Sequence, residues 1–225
     1  MSFRRLRSAF FLTILMAVPV EAGAQIYFGL YLGANYTQPS SITLDLASPG
    51  QDIRFDDVNW EARPFASPQY YGFRGGAMFG AARRFGLEVE FLHQKVIAKI
   101  ETPAMQAIVQ RYAMSHGMNF LTINFVSRQP IGNGPVSFVA RAGAGPTIPH
   151  GESNVFGVTQ EQYEYAGLGM QAAAGVDVKL VGWLSAMSEY KFTFAKPKIT
   201  LAAGTGQTTT VGHQIAFGLT ISIAK

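Results

Sequence analysis

The chain runs to 225 residues, a length that single β-domains routinely reach. Apolar residues make up 48% of it and charged residues only 14%, with 24 glycines, 17 phenylalanines, 9 tyrosines and no cysteine. Such apolar and aromatic content excludes disorder, the lack of cysteine excludes disulfide scaffolds and thiolate metal sites, and the composition is not that of a coiled coil.

The first segment has the pattern of a targeting signal. Arg4, Arg5 and Arg7 precede an apolar run from Ser8 to Val20, and Ala22-Gly23-Ala24 places small residues before Gln25 as a cleavage site. The run falls short of the ~20 residues a spanning helix needs, so a signal peptide over 1–24 is expected in preference to an N-terminal anchor. Its removal takes away three arginines and Glu21 and lowers the formal net charge from +4 to +2. No polybasic run or nucleic-acid motif remains, so nucleic acid is not an expected partner. The remainder, 25–225, has no uncharged apolar stretch long enough for a spanning helix. An exported, oily chain of this kind is expected to form one membrane β-barrel domain.

Period-two alternation divides 25–225 into eight strands, since a barrel in lipid points apolar residues outward and small or polar ones inward. The first, 26–37, sets Phe28, Leu30, Leu32 and Tyr36 against Gly29, Gly33 and Asn35. A long link rich in Pro, Ser and Asp, 38–68, leads to the second at 69–81. A short turn around Arg83 joins the third, 85–99, where Leu87, Val89 and Phe91 alternate with Glu88 and Glu90. After a longer link comes the fourth at 114–128, and the Pro130–Pro135 turn joins it to the fifth at 136–149. The link 150–166 is long again. The sixth, 167–180, sets Met170, Ala172, Ala174 and Val176 against Gln171, Gly175 and Asp177. A turn at 181–183 leads to the seventh, 184–198, and a Gly/Thr-rich loop at 199–208 to the eighth, 209–224. There Ile215, Phe217, Leu219, Ile221 and Ile223 share one face.

Long and short connections alternate throughout, as in barrels with short periplasmic turns and long external loops. The expected fold class is therefore all-β: an eight-stranded antiparallel transmembrane barrel in the cell outer membrane, and a monomer. A soluble lipocalin-like barrel is the structural rival. It would need its oil inside and its charge outside, the reverse of the faces read here.

The inward face carries Arg74, Glu88, Glu90, Arg141, Asp177, Lys179, Glu189 and Lys191. Eight strands enclose a lumen just wide enough for side chains to fill. These residues are expected to form an ion-pair network that plugs the lumen, the alternative being a narrow ion path.

With both termini in the periplasm, odd strands run outward and even strands inward, which places His93, His116, His150 and His213 all toward the external side. The most pointed segment is Gly143-Ala144-Gly145-Pro146-Thr147-Ile148-Pro149-His150-Gly151-Glu152-Ser153. Two prolines there fix the backbone and stop the ladder, and a His with a Glu two residues on can ligate a metal or move a proton. His116, before Gly117-Met118-Asn119-Phe120, starts a strand that can neighbour that segment. No His-x-His or His-x-x-x-His spacing supports a metal site, and solvated rim histidines are the plain alternative. Lys95, Lys99, Arg111, Lys196 and Lys198 fall at the outer rim, where cations meet lipid phosphates.

Several segments carry a resemblance. Asp52-Ile53-Arg54-Phe55-Asp56-Asp57-Val58-Asn59-Trp60, Tyr70-Tyr71-Gly72, Gly86-Leu87-Glu88-Val89-Glu90-Phe91, His116-Gly117-Met118-Asn119-Phe120-Leu121 and Ile148-Pro149-His150-x-Glu152-Ser153 are similar to the rhizobial lipid A oxidase family. The resemblance implies an outer-membrane enzyme that uses dioxygen to oxidise the proximal glucosamine of lipid A to 2-aminogluconate, releasing peroxide. A dioxygen reaction calls for a bound metal, since no dinucleotide motif is present. His116 and His150 are the candidate ligands of a divalent ion, with Glu152 beside them as ligand or base. Lipopolysaccharide and outer-membrane lipid are the expected partners. The rival class is a non-catalytic structural or adhesive barrel of the OmpA/OmpX type, whose external loops bind a partner.

Overall fold

The structure, a computed structural model, describes residues 24–47 and 52–223. The expected signal peptide lies outside these residues, apart from Ala24. In chain order the described residues form β1 (Gln25–Thr37), β2 (Ser40–Leu46), β3 (Asp52–Val58), β4 (Trp60–Glu61), β5 (Tyr71–Phe79) and β6 (Phe85–Ala98). A short helix, α1 (Pro103–Gln106), precedes β7 (Val109–Pro130), β8 (Val136–Val155) and β9 (Val158–Tyr163). The chain ends with β10 (Leu168–Val181), β11 (Leu184–Ala195), β12 (Lys198–Leu201), β13 (Gly204–Thr208) and β14 (Thr210–Ile223).

Eight of these strands close a barrel in the order β1-β5-β6-β7-β8-β10-β11-β14, each antiparallel to the next, with β14 returning to β1. They are the eight read from alternation. One row of paired residues can be followed round the wall from Ile148 through Asn119, His93, Tyr71, Leu32, Phe217, Ser188 and Val176 to Phe138. The row returns to β8 ten residues from its start, 148 to 138, and this stagger tilts the strands and lets the ring close. Closure leaves no unpaired edge, which lipid requires.

The outer surface is the apolar belt that the alternation predicts. Leu30, Leu32, Phe73, Ile123, Phe125, Met170, Ile215 and Phe217 are each at least half exposed, on strands whose alternate residues are buried. Among the described residues no helix is long and apolar enough to cross a membrane. The strands make the crossing.

Above the belt the structure departs from the sequence reading. The links 38–68 and 199–208 are not loops: β12, β13, β2 and β3 pair into a second, four-stranded sheet. Strands β7 and β8 also continue beyond the expected 114–128 and 136–149, and β9 pairs with β8 across the link read as 150–166. The physical reason is a second core outside the membrane. Ile42, Leu44, Ile199 and Leu201 from the small sheet pack with Trp60, Val96, Tyr112 and Met114, all buried. The pattern Ile42-Thr43-Leu44-Asp45-Leu46 carries that alternation, but its Pro- and Ser-rich surroundings mask it.

Inside the barrel, six of the eight expected lumen charges meet in one network, three acids against three bases. Glu189 accepts from Arg74 at 2.8 and 3.0 Å and from Arg141 at 2.6 Å. Glu90 takes Lys191, with Tyr31 and Asn124 donating to it at 2.5 and 2.8 Å. Tyr27, Asn124 and Arg141 donate to Glu88 at 2.8, 3.0 and 3.3 Å. The other two charges lie elsewhere. Asp177 meets Arg128, at 3.4 Å, and Lys179 is exposed at the periplasmic mouth with no carboxylate within 4 Å among the described residues. The reason is position: Lys179 lies two residues nearer the strand end than Asp177, where the lumen opens.

Tyr27, Met78, Val126 and Val139 pack into an apolar layer below the network, and the external core covers it from above. A lumen filled in this way holds no water column. Planar-bilayer recording on the purified protein is therefore expected to show no stable single-channel conductance; large, steady openings would contradict the plug.

Candidate functional site

The site begins with a break in strand pairing. Between Gln94↔Met118 and Val96↔Met114 the β6–β7 register slips by two residues, and between Ala113↔Glu152 and Met118↔Pro149 the β7–β8 register does the same. Residues Ser115, His116 and Gly117 are the bulge so produced, and a bulge re-aims the side chains it carries. Gly117 sits at φ +113, a conformation that L residues rarely adopt, and a Cβ there would collide with the His93 ring. Only glycine lets the chain fold back so closely over His93. His116 is thrown outward, its side chain 60% exposed.

Strand β8 supplies the other half. Its even-numbered residues face outward: Ala142, Ala144 and Ile148 belong to the exposed belt, and His150 and Glu152 continue the same face above it. Pro146 and Pro149 lie where β8 changes neighbour from β10 to β9. Lacking an N–H, they suit a point where one ladder ends and another starts.

The structure brings His116, His150 and Glu152 together, with ligand atoms of all three within 4.8 Å of one another. The imidazoles meet edge to face, 5.0 Å between centroids. Glu152 Oε1 accepts from Ser115 Oγ at 2.6 Å, from the backbone N–H groups of Ser115 and His116 at 3.1 and 3.2 Å, and from His116 Nδ1 at 3.0 Å. His150 Nδ1 lies 3.4 Å from the same oxygen, and Arg111 holds Oε2 through Nε at 2.9 Å and through a second nitrogen. Burial pushes the Glu152 carboxyl up, but the hydrogen bonds from Ser115, Arg111 and His116 outweigh it and hold the group well below the usual carboxylate range. Glu152 is thus a fixed carboxylate at the base of two imidazoles. Each ring facing it with Nδ1–H leaves its Nε2 lone pair free, a tautomer inferred from the hydrogen bonds.

These residues fit a divalent metal. The two imidazoles offer their Nε2 atoms as donors, and Glu152 stands behind them as the carboxylate that orients a metal-bound ring.

Sequence reasoning missed Tyr163 and Ser115. Tyr163 packs on His150, 4.6 Å between ring centroids, because the β8–β9 hairpin pairs the two residues directly. That hairpin turns on Phe156 and Gly157, both at positive φ, a two-residue turn matched to strand twist. The Phe156-Gly157 pair was the available signal, and a phenylalanine at such a position conceals it. Arg111, expected at the rim against lipid phosphate, is instead committed to Glu152.

The remaining histidines stay outside the cluster. His93 is buried on the outward row of β6, stacked on Tyr71 at 4.9 Å and 2.9 Å from Asn119 Oδ1. His213, on the far side of the barrel, lies between Tyr190 and Gln38. Of the rim lysines, Lys95 donates to the Ala66 and Ser67 carbonyls at 3.1 and 2.9 Å, while Lys99, Lys196 and Lys198 are exposed.

Gly117→Ala tests the bulge. The substitution is expected to cost about 1–3 kcal/mol of local strain, and hydrogen exchange at the Ser115 and His116 amides should speed up, because both lose Glu152 as acceptor. Amides within the barrel wall should exchange as before. Unchanged protection at Ser115 and His116 would contradict the geometry.

A closed ring, an outward apolar belt and a filled polar lumen define the class: the chain is a small eight-stranded outer-membrane β-barrel. Its shape is similar to that of OprG from Pseudomonas aeruginosa (TM-score 0.49, 12% identity, 89% of this chain and 96% of that one). It is also similar to Neisserial surface protein A (TM-score 0.45, 8% identity, 89% and 99%) and to the outer-membrane protease OmpT from Escherichia coli (TM-score 0.49, 8% identity, 89% and 97%). No protein-family model and no curated protein sequence matches the chain.

Proposed function

We propose that this barrel is a metal-dependent oxidase of the lipid A sugar head, acting from the outer wall at the level of the outer-leaflet headgroups. One observation carries the reading. His116, His150 and Glu152 converge on the outward face of β8, immediately above the lipid-facing Ala144 and Ile148. A site in the lumen would meet solutes, and a site on the external tip would meet soluble partners. A site on the wall meets lipid.

The net reaction fits that address. A free anomeric hydroxyl on the proximal glucosamine loses two electrons and two protons to dioxygen, giving a lactone and hydrogen peroxide, and water opens the lactone to 2-aminogluconate. A divalent metal, when bound, supplies the redox step that no side chain here can perform. His116 and His150 would hold it, and Glu152 fixes both rings in the tautomer that leaves Nε2 free. The Arg111 guanidinium keeps Glu152 ionised and aligned. Ile148 below the site lies against acyl chains and sets the depth of the sugar.

Mass spectrometry of lipid A from cells whose lipid A has a free proximal anomeric hydroxyl is the test. Expression of the folded barrel is expected to add the mass of one oxygen atom to the proximal sugar. An unchanged profile removes the reading.

A specific observation favours the second reading, a non-catalytic structural or adhesive barrel. Glu152 already accepts from Ser115, His116, His150 and Arg111, and a carboxylate so fully engaged also serves to pin a bulge. On that reading the histidines are dispensable to lipid A composition.

A further inference from the structure

The opposite end of the barrel carries a second set of uncommitted polar groups. At the periplasmic mouth a cleft of about 230 Å³ opens between the turns 131–135 and 182–183. Its walls are inward-facing residues at the periplasmic ends of the strands: Arg128 from β7, Ser137 from β8, Asp177 and Lys179 from β10, Ser185 from β11 and Ser222 from β14. The apolar layer of Tyr27, Met78, Val126 and Val139 separates it from the buried charge network.

Two cations meet one acid here: the Arg128 guanidinium lies over the Tyr27 ring, 5.6 Å to its centroid, with only long polar contacts, and Lys179 is exposed. Arg128 reaches Asp177 and Gln25 only at 3.4 Å each, beyond the 2.7–2.9 Å or so of a well-made charge-assisted bond. Its Nε is buried with no hydrogen-bond partner, a condition native structures rarely leave unanswered. Lys179 has no carboxylate within 4 Å among the described residues. Three serine hydroxyls add neutral donors around the same space. Guanidinium, ammonium and hydroxyl donors facing one small cleft form the donor set that recognises a tetrahedral oxyanion.

We infer that this mouth binds a phosphate group presented from the periplasmic side, either free or on an inner-leaflet phospholipid. A phosphate entering the cleft would meet the Arg128 guanidinium edge that now reaches Gln25 and Asp177 only at 3.4 Å, and the exposed Lys179 lines the same space. The site is independent of the wall histidines, and its success or failure leaves the oxidase reading untouched.

The test is NMR of the full barrel titrated with inorganic phosphate in phospholipid-free detergent micelles, repeated in nanodiscs with and without phosphatidylglycerol. Saturable shifts of the Arg128 guanidinium N–H groups and the Ser137 and Ser222 amides in micelles identify the free anion. The same shifts appearing only with phosphatidylglycerol identify the lipid headgroup. Arg128→Gln and Lys179→Gln should each weaken the response about tenfold or more, the loss of one charge-assisted contact. Lys179 is exposed, so its substitution leaves the fold intact and keeps the test open if Arg128→Gln misfolds. No saturable shift in either medium, or shifts that both variants leave unchanged, would overturn the inference.

Discussion

Glu90→Ala is expected to destabilise the barrel by about 3–5 kcal/mol, because it strands a buried charge. Lys191 is fully buried and its ammonium faces Glu90; with that carboxylate gone, its nearest acid is Glu189 at 3.5 Å. Glu189 already serves Arg74 and Arg141. Tyr31 and Asn124 also lose their shared acceptor. Replacing both partners removes most of that penalty, so Glu90→Ala with Lys191→Met should recover the greater part of the stability. Urea titration of the refolded barrel, followed by tryptophan fluorescence, measures both variants. A loss below about 1 kcal/mol for Glu90→Ala, the range of a surface pair, would show that the lumen is wet and the network screened.

The second large effect belongs to the wall site. His116→Ala with His150→Ala is expected to return the lipid A profile to that of cells lacking the barrel. Glu152→Gln keeps the shape but removes the charge that holds both imidazoles and Arg111, and should lower lipid oxidation by roughly 10–100-fold, the usual range for a group that orients metal ligands. Both variants leave the membrane-spanning wall untouched, so both should migrate as folded barrels on unheated gels. Full activity in the double variant would assign the histidines to the structural role.

How much of this was legible in the sequence follows from what fixes each part. The wall strands carry period-two alternation because one face meets lipid and the other a narrow lumen, and both constraints act on every residue. The lumen network was legible for the same reason as a set of inward charges, though not in which acid meets which base. Lys179 was misplaced because alternation gives the face of a residue and not its depth. Above the membrane the lipid constraint ends. The cap sheet of β2, β3, β12 and β13 buries its apolar residues against partners more than 100 residues away, as Ile42 and Thr208 pair, and no local pattern reports such pairing.

His116 and His150 were singled out by their ends of adjacent strands, which is topology. Their convergence on Glu152 depends on a two-residue bulge and on Gly117 at positive φ, and a lone glycine in a strand pattern marks such a bulge only in general. Tyr163 required the β8–β9 hairpin, hidden by a phenylalanine in its turn.

The most direct measurement is oxygen uptake by the purified barrel, loaded in turn with each of several divalent metal ions, in nanodiscs containing lipid A with a free proximal anomeric hydroxyl. Wild type is predicted to consume dioxygen and release one hydrogen peroxide per sugar oxidised, while the barrel lacking His116 and His150 does neither. No lipid-dependent oxygen uptake by the folded, metal-loaded wild type would contradict the account.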